Sequence, residues 1–206
     1  MTPANPKLLA SIRVVLARTS HPGNIGAAAR AMKTMGLSQL ILVQPHIFPN
    51  SQADAMAAGA ADVLAQARVC SSLAEALAGT SLALGVSARR RDIVAEVFTP
   101  PEAATRLLTE VQVTPVALVF GNETNGLSNE ELSLCQGLVS IAANPEYSSL
   151  NLAAAVQVLS YEIRQAWLQH PSWPQPEIDA ARLDDIERFY GHLETNPRAA
   201  AEGRPS

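Results

Sequence analysis

Continuous apolar runs predict five strands, at residues 12–16, 39–43, 81–86, 116–120 and 138–141. A shorter run at 67–70 predicts a sixth strand. Most of these runs do not alternate with polar residues, a pattern typical of strands that are covered on both faces. Between them, apolar residues recur at helical spacing, over about 25–35, 51–59, 62–66, 72–77, 101–110, 129–135 and 150–168. Alternating strands and helices predict an α/β fold with a parallel sheet.

Three polar loops each join a predicted strand to a predicted helix. They are residues 21–26, 121–127 and 144–150. Such a loop presents backbone N–H groups and hydroxyls at the start of a helix, a place that suits a polar ligand. Ligands of parallel sheets bind at the carboxyl ends of the strands. The three loops therefore predict one shared ligand site.

The predicted helix 150–168 is apolar on two faces. One face carries Leu152, Val156, Leu159, Ile163 and Trp167. The other carries Ala154, Val158 and Tyr161. A helix that is apolar on two sides of a modest domain indicates a partner subunit in addition to the sheet. The alternative is a central helix that is covered by a loop.

The chain divides into three predicted regions. Residues 1–169 hold all the predicted strands and form one domain, and residues 170–176 are a proline-rich linker. Residues 177–206 hold an amphipathic helix, which ends at about Leu193, and a polar tail. One helix cannot bury a core of its own. It therefore packs back on the domain, or it is the start or remnant of a truncated helical domain.

Composition limits the classes of function. The net charge of −4 argues against a nucleic-acid partner, but Arg89, Arg90 and Arg91 form a basic cluster that can override the total. No apolar stretch approaches the ~18–20 residues of a membrane span, and no signal peptide precedes the first strand. Two scattered cysteines predict no disulfide framework and no metal site. We expect a cytoplasmic protein.

Three long segments match known motifs in order and in spacing. They are residues 12–37, 118–132 and 142–153, which contain the three polar loops. Together they closely resemble the motifs of SPOUT-superfamily RNA methyltransferases, most nearly the TrmJ group of TrmH-like tRNA ribose 2′-O-methyltransferases. Residues 189–194 also resemble the opening of that group's C-terminal helical domain.

The resemblance implies a fold and a reaction. It implies the SPOUT (α/β knot) fold, with a C-terminal trefoil knot that forms the cofactor pocket, and an obligate homodimer. It implies S-adenosylmethionine as methyl donor, no metal, and tRNA as substrate. The implied target is the ribose 2′-hydroxyl of a cytidine or uridine at position 32, near the start of the anticodon loop.

Four residues are candidates for catalysis by this resemblance. Arg30 is the catalytic arginine; because a guanidinium stays protonated, we expect it to stabilise the developing alkoxide and to hold a phosphate. Asn24 bonds the ribose or Arg30, or only caps the helix. Glu123 orients Arg30 or bonds loop N–H groups, and Ser149 orders Arg30 or the ribose, or caps the last helix of the domain. His21 is a weaker candidate.

The resemblance also assigns binding residues. The cofactor site would comprise Val86, Ser87, Ala88, Gly121, Ile141, Ser148, Ser149 and Leu150. We expect Gly121 to permit a close backbone approach to the ligand. The RNA-binding residues would be Arg30, Arg89 and Arg91. Asn122 stands where related proteins often carry arginine, which puts one RNA contact in doubt.

Three alternatives stay open. A dinucleotide-binding domain would need a Gly-x-Gly-x-x-Gly loop after the first strand, and residues 23–29 do not fit that pattern. A catalytically impaired RNA-binding SPOUT protein would keep the loops without the reaction. A ribosomal RNA 2′-O-methyltransferase would use the same site on another RNA.

Overall fold

A parallel sheet forms the centre of the molecule, in a computed structural model that describes residues 6–88, 96–169 and 183–195. The described strands are β1 Ile12–Ala17, β2 Gln39–Val43, β3 Arg68–Cys70, β4 Leu82–Val86, β5 Glu96–Phe98, β6 Val116–Phe120 and β7 Gly137–Val139. They lie in the order β3-β2-β1-β6-β4-β7-β5, and every pairing between them is parallel. The predicted α/β class with a parallel sheet is confirmed. The trefoil knot stays a prediction.

Helices follow most strands and cover both faces of the sheet. Their bounds are α1 Pro6–Leu9, α2 Pro22–Met35, α3 Ser51–Ala57, α4 Ala61–Ala65, α5 Leu73–Leu77, α6 Pro100–Glu110, α7 Asn129–Ser133, α8 Leu152–Gln169 and α9 Leu183–Thr195. A 3₁₀ turn at Ala58–Ala60 joins α3 to α4. The helix predicted at 51–59 ends early because Ala58 has a positive φ of 47°. Strand β5 and the short helix α1 were not predicted.

Helix α2 begins earlier than its apolar pattern indicates. It starts at Pro22, and His21 is the N-cap residue, although its side chain caps nothing. Proline suits the first turn of a helix because that turn has no partner for its N–H groups. Asn24 therefore lies inside the first turn, and the interpretation of Asn24 as a helix cap is wrong. The predicted end is confirmed: Gly36 adopts φ 87° and its N–H donates to the carbonyl of Lys33.

The sheet separates two hydrophobic clusters. Val14 and Leu16 of β1 face the first cluster, together with buried residues of α2, α3, α6 and α8. Val15 and Ala17 face the second cluster, with residues of α5 and α7. This alternation places every second residue of one strand on the opposite face. Both faces of β1 are therefore buried, as its continuous apolar run predicts.

Small residues bring α2 and α3 into close contact. A Cβ atom added at Gly26 would lie 2.0 Å from the carbonyl oxygen of Ala53. The backbone of α3 therefore lies directly against Gly26. This contact fixes the position of α2, which carries two of the candidate residues.

The C-terminal helices each leave an apolar surface exposed. On α8 the first predicted stripe is buried from Leu152 to Ile163, whereas Ala154 and Tyr161 of the second stripe are exposed. Ile186 of α9 packs against the second cluster, so this helix does pack back on the domain. The predicted linker 170–176 and the tail from residue 196 lie outside the described residues. None of the described helices combines the length and the apolar character of a membrane span.

Candidate active site

A cavity of about 370 Å³ opens at the carboxyl ends of three neighbouring strands, β6, β4 and β7. The loops that follow these strands form its wall, together with the start of α8. All eight residues predicted to bind the cofactor line it, namely Val86, Ser87, Ala88, Gly121, Ile141, Ser148, Ser149 and Leu150. Of the candidate catalytic residues, Glu123 and Ser149 line it as well. The structure thus brings loops that are distant in sequence around one space.

The wall combines apolar side chains with hydroxyl groups. Phe120, Ile141 and Leu150 supply apolar surface. The hydroxyls of Ser148 and Ser149 form no hydrogen bond with any residue that the structure describes, so they are available to a ligand. A pocket of this size, mostly apolar with a few polar groups, suits a small organic ligand with a polar end.

Sequence reasoning missed Tyr147 as a wall residue. Its side chain is 80% exposed and lines the cavity from the loop before α8. The available signal was an aromatic ring in an otherwise polar loop. Exposure of a large ring to water is unfavourable, and a ligand that covers the ring removes this cost.

The reason for glycine at position 121 differs from the expected one. A Cβ atom there would lie 2.1 Å from the carbonyl carbon of Gly126 and 2.2 Å from the nitrogen of Leu127. The loop closes on itself through the N–H of Gly126, which donates to the carbonyl of Asn122 at 2.8 Å. Gly121 therefore permits the close approach of its own loop, where we had expected a ligand. The tight loop then sets the shape of the cavity wall.

Asn122 joins this loop to the end of β1. Its side-chain nitrogen donates to the carbonyl of Arg18 at 2.8 Å and to the hydroxyl of Ser20 at 2.7 Å. Its side-chain oxygen accepts from the N–H of Thr124 at 2.8 Å. An amide can do both, whereas arginine has no acceptor. In this chain the position therefore serves the loop's structure.

Glu123 binds the loop that begins α2. Its carboxylate accepts from the N–H groups of Ser20 at 2.9 Å and His21 at 3.2 Å, and from the side-chain nitrogen of Asn24 at 2.9 Å. Burial raises the pKa of Glu123, but the hydrogen bonds from Asn24, Ser20 and His21 outweigh it and hold the pKa below its ordinary value. The carboxylate is therefore charged at neutral pH. Of its two expected roles, bonding loop N–H groups is the one observed.

A side-chain network continues from Glu123 to the third loop. The side-chain oxygen of Asn24 accepts from the side-chain nitrogen of Asn151 at 3.0 Å. The side-chain oxygen of Asn151 accepts from the N–H groups of Ala153 at 2.9 Å and Ala154 at 3.3 Å. Asn151 is thus the N-cap of α8, and the interpretation of Ser149 as that cap is wrong. Glu123, Asn24 and Asn151 connect all three polar loops.

Asn151 is the residue of this network that sequence reasoning missed. The signal was present, since asparagine directly before an apolar helix is a preferred N-cap. Its bond to Asn24 spans 127 positions of the sequence, so no local pattern reveals it.

Arg30 stands apart from this arrangement. Its side chain is exposed and forms no hydrogen bond or ion pair with any described residue. It does not line the cavity. Six residues beyond Asn24, it lies roughly 9 Å further along α2 and on another face. The expected bonds from Asn24, Glu123 or Ser149 to Arg30 are not observed, while its catalytic role stays a prediction. Arg89 and Arg91 lie outside the described residues.

A comparison with protein families decides what kind of site this is. The family model described as the SpoU rRNA Methylase family matches residues 11–161, which include all three polar loops and the whole cavity wall. The chain belongs to the SpoU methylase family. The resemblance inferred from the three motifs is confirmed.

Relatives in the SpoU family cover most of the chain. The tRNA (cytidine/uridine-2′-O-)-methyltransferase TrmJ of Escherichia coli strain K12 is 54% identical over 196 residues, which are 91% of this chain and 78% of that protein. The crystal structure of TrmJ from Z. mobilis has a TM-score of 0.80 and 34% identity, and the match covers 94% of this chain and 82% of that one.

One related structure contains the methyl donor. An rRNA methyltransferase from Sinorhizobium meliloti, crystallised with S-adenosylmethionine bound, has a TM-score of 0.57 and 26% identity, over 75% of this chain and 56% of that one. The SpoU family is dependent on this donor. The cavity fits such a group: apolar walls at Ile141 and Leu150 suit a purine ring, and the unpaired hydroxyls of Ser148 and Ser149 suit a polar tail.

One thiol near the site, that of Cys135, is buried. Burial raises the pKa of Cys135 to about 12, so that this thiol stays protonated and is a poor nucleophile. No group of three or more histidine, cysteine, aspartate or glutamate side chains within the described ranges is arranged to hold a metal ion.

Proposed function

We propose that this chain transfers the methyl group of S-adenosylmethionine to the ribose 2′-hydroxyl of a cytidine or uridine in tRNA, at position 32 of the anticodon loop. The observation that carries the proposal is the cavity formed by the loops after β4, β6 and β7, with Glu123, Asn24 and Asn151 tying the start of α2 to its wall. The TrmJ name of the 54% identical relative supports tRNA as the substrate.

The residues of the cavity would bind and orient the donor, which supplies an electrophilic methyl group when bound. Backbone groups of Val86, Ser87 and Ala88 border it at the end of β4, and Ile141 and Leu150 enclose its apolar part. Correct alignment of a bound pair can lower a barrier by ~7–11 kcal/mol. The main contribution of this site is therefore the fixed geometry of its loops.

Arg30 would act on the acceptor. A guanidinium near the 2′-oxygen would stabilise the negative charge that develops there as the hydroxyl proton passes to a phosphate oxygen or another base, before the oxygen takes the methyl group. Because Arg30 is exposed and unpaired, its charge is not neutralised within the described residues. Ser149, which lines the cavity, would position the ribose.

The position of Arg30 supports a homodimer. Within one chain the guanidinium does not line the cavity, and the second stripe of α8 leaves Ala154 and Tyr161 exposed. We place a second copy against α8, so that Arg30 of each copy faces the cavity of the other. This arrangement would complete the site and would cover the exposed stripe.

The remaining expectations follow the same family. We propose that residues 1–169 form the methyltransferase domain with its trefoil knot, that residues 170–176 link it to the C-terminal region, and that the protein works in the cytoplasm with Arg89 and Arg91 on the RNA. Ribosomal RNA is the second candidate substrate, because the matching family model and the S. meliloti structure both carry that name.

Nucleoside mass spectrometry tests this function. Purified chain is incubated with labelled S-adenosylmethionine and either unmodified tRNA or unmodified ribosomal RNA, and the digested nucleosides are analysed. We expect 2′-O-methylcytidine or 2′-O-methyluridine from tRNA alone, and none with the Arg30→Ala variant. If the label from S-adenosylmethionine appears in ribosomal RNA and not in tRNA, the substrate is ribosomal RNA. Binding of tRNA without any transfer would make the chain an RNA-binding protein.

A further inference from the structure

A second cavity, of about 440 Å³, lies beside the first at the same edge of the sheet. The two share Asn122, Asn125 and Gly126, so the loop after β6 is a wall of both. A polymer that reaches the first cavity across this edge would pass the second one.

The lining of the second cavity is rich in hydrogen-bond donors. Arg18, His46, Asn125 and Ser128 are among the residues that line it, and none of the lining residues is acidic. Such a set favours an anion. The volume exceeds that of a phosphate group and suits a phosphate with its attached sugar.

Arg18 is held in an unusual position at the end of β1. Its backbone has a φ of 53°, a region that residues other than glycine rarely adopt and that is often found at binding sites. One guanidinium nitrogen donates to Glu131 at 2.7 Å, and Glu131 also accepts from the N–H of Ser128. Glu131 is thus fixed by the start of α7, and it orients the guanidinium.

One donor of Arg18 has no acceptor. Its Nε atom is buried and makes no hydrogen bond with any described residue, although the side chain as a whole is 41% exposed. Buried donors are nearly always paired in folded proteins, so an unpaired one indicates a missing partner. An anionic oxygen in the second cavity would supply that acceptor after a small movement of the side chain.

We propose that the second cavity binds a backbone phosphate of the substrate RNA, with Arg18 as its main donor and His46 as a second one. The proposal rests on the proposed function, because it takes RNA to be the ligand at this edge. Arginine suits the role because its planar fork of donors matches phosphate oxygens. A phosphate bound here would hold the RNA backbone beside the loop that shapes the cofactor cavity.

Binding of unmodified tRNA to the full chain, measured by filter binding over a range of salt concentrations, tests the proposal. The variant is Arg18→Asn, because asparagine tolerates a positive φ. Arg106→Asn is the matched control, since Arg106 is also an exposed arginine that pairs with a glutamate, Glu110, but on α6. His46→Gln is the second variant, and thermal melting checks that all fold.

We expect Arg18→Asn to weaken tRNA binding roughly tenfold and to lower the salt slope by about 0.7–0.9, the value of one lost phosphate contact. His46→Gln should weaken binding less, and Arg106→Asn should not change the slope. Wild-type affinity and slope in Arg18→Asn, or an equal loss in Arg106→Asn, would overturn the proposal. If Arg18→Asn does not fold, an unchanged slope in His46→Gln overturns it.

Inorganic phosphate distinguishes RNA from a free anion. Titration of the wild-type chain with phosphate, followed by the NMR signal of the Arg18 Nε–H, should shift that signal. A shift together with an unchanged tRNA salt slope in Arg18→Asn would mean a free-anion site and would refute the RNA assignment.

A wild-type chain that binds tRNA but transfers no methyl group would refute the proposed function and leave the Arg18 result valid. A wild-type chain that binds no tRNA would refute both.

Discussion

The start and the middle of helix α2 differ in how their side chains are held. At its start, Asn24 is tied to Glu123 and Asn151, so that side chains from three loops fix one another. Two turns later, Arg30 is exposed and has no partner among the described residues. Under the proposed function, one chain would complete the cofactor half of the site in advance, and Arg30 would meet RNA and the cavity of a second copy.

Substitution of Arg30 should have the largest effect on the reaction. We expect Arg30→Ala to lower kcat roughly 10²–10³-fold, the usual cost of removing a group that stabilises a developing oxyanion. The affinity for S-adenosylhomocysteine, measured by calorimetry, should not change, because Arg30 does not line the cavity. Arg106→Ala is the control for the loss of a surface charge. A parallel loss of cofactor affinity in Arg30→Ala would remove the distinction between Arg30 and the network at the start of α2.

A methyl group at position 121 should weaken cofactor binding, which Arg30→Ala should leave unchanged. Gly121→Ala places a Cβ atom 2.1 Å from the backbone of Gly126, so the loop must move and the cavity wall with it. We expect the affinity for S-adenosylhomocysteine to fall roughly a hundredfold, since two to three kcal/mol is a common cost of such misfit. Gly59→Ala is the matched control, because nothing lies within 4 Å of a Cβ atom there. Equal cofactor affinity in both variants would contradict the importance of the closed loop.

Substitution of Asn151 should have a smaller effect, on stability and on the KM for the methyl donor. Asn151→Ala removes a helix cap, which should lower the free energy of unfolding by about 1 kcal/mol, and it also breaks the bond to Asn24. Asn50→Ala is a matched control, because Asn50 caps α3 by accepting from Gln52 at 2.9 Å and does not line the cavity. Denaturant unfolding should show similar losses in both variants. Only Asn151→Ala should raise the KM for the methyl donor, and an equal rise in Asn50→Ala would argue against the network.

The smallest expected effect is a pH dependence that Glu123 introduces. Its pKa is lower in the folded chain than in the unfolded chain, so its contribution to stability is full above the ordinary glutamate pKa of 4.5 and is lost as the pH falls through the lowered value. We therefore expect Glu123→Gln to be less stable than wild type at pH 7, with a gap that closes below about pH 4.5.

Glu102→Gln is the control for the effect of pH. The side-chain and backbone hydrogen bonds from Thr99 also lower the pKa of Glu102, but this residue caps α6 away from the cavity wall. Its stability should follow the same direction with pH, while the affinity for S-adenosylhomocysteine stays at the wild-type value. A difference in stability between Glu123→Gln and wild type that is constant from pH 7 to pH 3 would contradict a charged Glu123 in the network.

The sequence predicted the strands and the cavity residues better than the hydrogen bonds between distant loops. Continuous apolar runs located six of the seven described strands, because burial on both faces leaves a pattern that is visible in a few residues. The eight residues predicted to bind the cofactor line one cavity, because the loops that carry them meet at the same edge of the sheet. Their contact with the cofactor stays a prediction. Strand β5 was missed, although it is as short and as exposed as β3, which was predicted.

Contacts between distant segments were beyond local patterns. The bond between Glu123 and Asn24 joins positions 99 residues apart, and the clash at Gly121 depends on how its loop closes. The same limit explains the errors at Asn24 and Ser149, since a helix boundary shifts by two or three residues when proline or a neighbouring asparagine takes the cap.

Mixed dimers test the separation of the two halves most directly. Chains with Arg30→Ala and chains with Gly121→Ala are unfolded, mixed in equal amounts and refolded. Methyl transfer to tRNA is then measured at a donor concentration at which each variant alone has little activity. If Arg30 acts on the cavity of the other copy, half of the dimers hold one complete site, and activity should return to roughly a quarter of wild type. Mixed dimers that form, as mass spectrometry would show, and yet stay inactive would contradict the account.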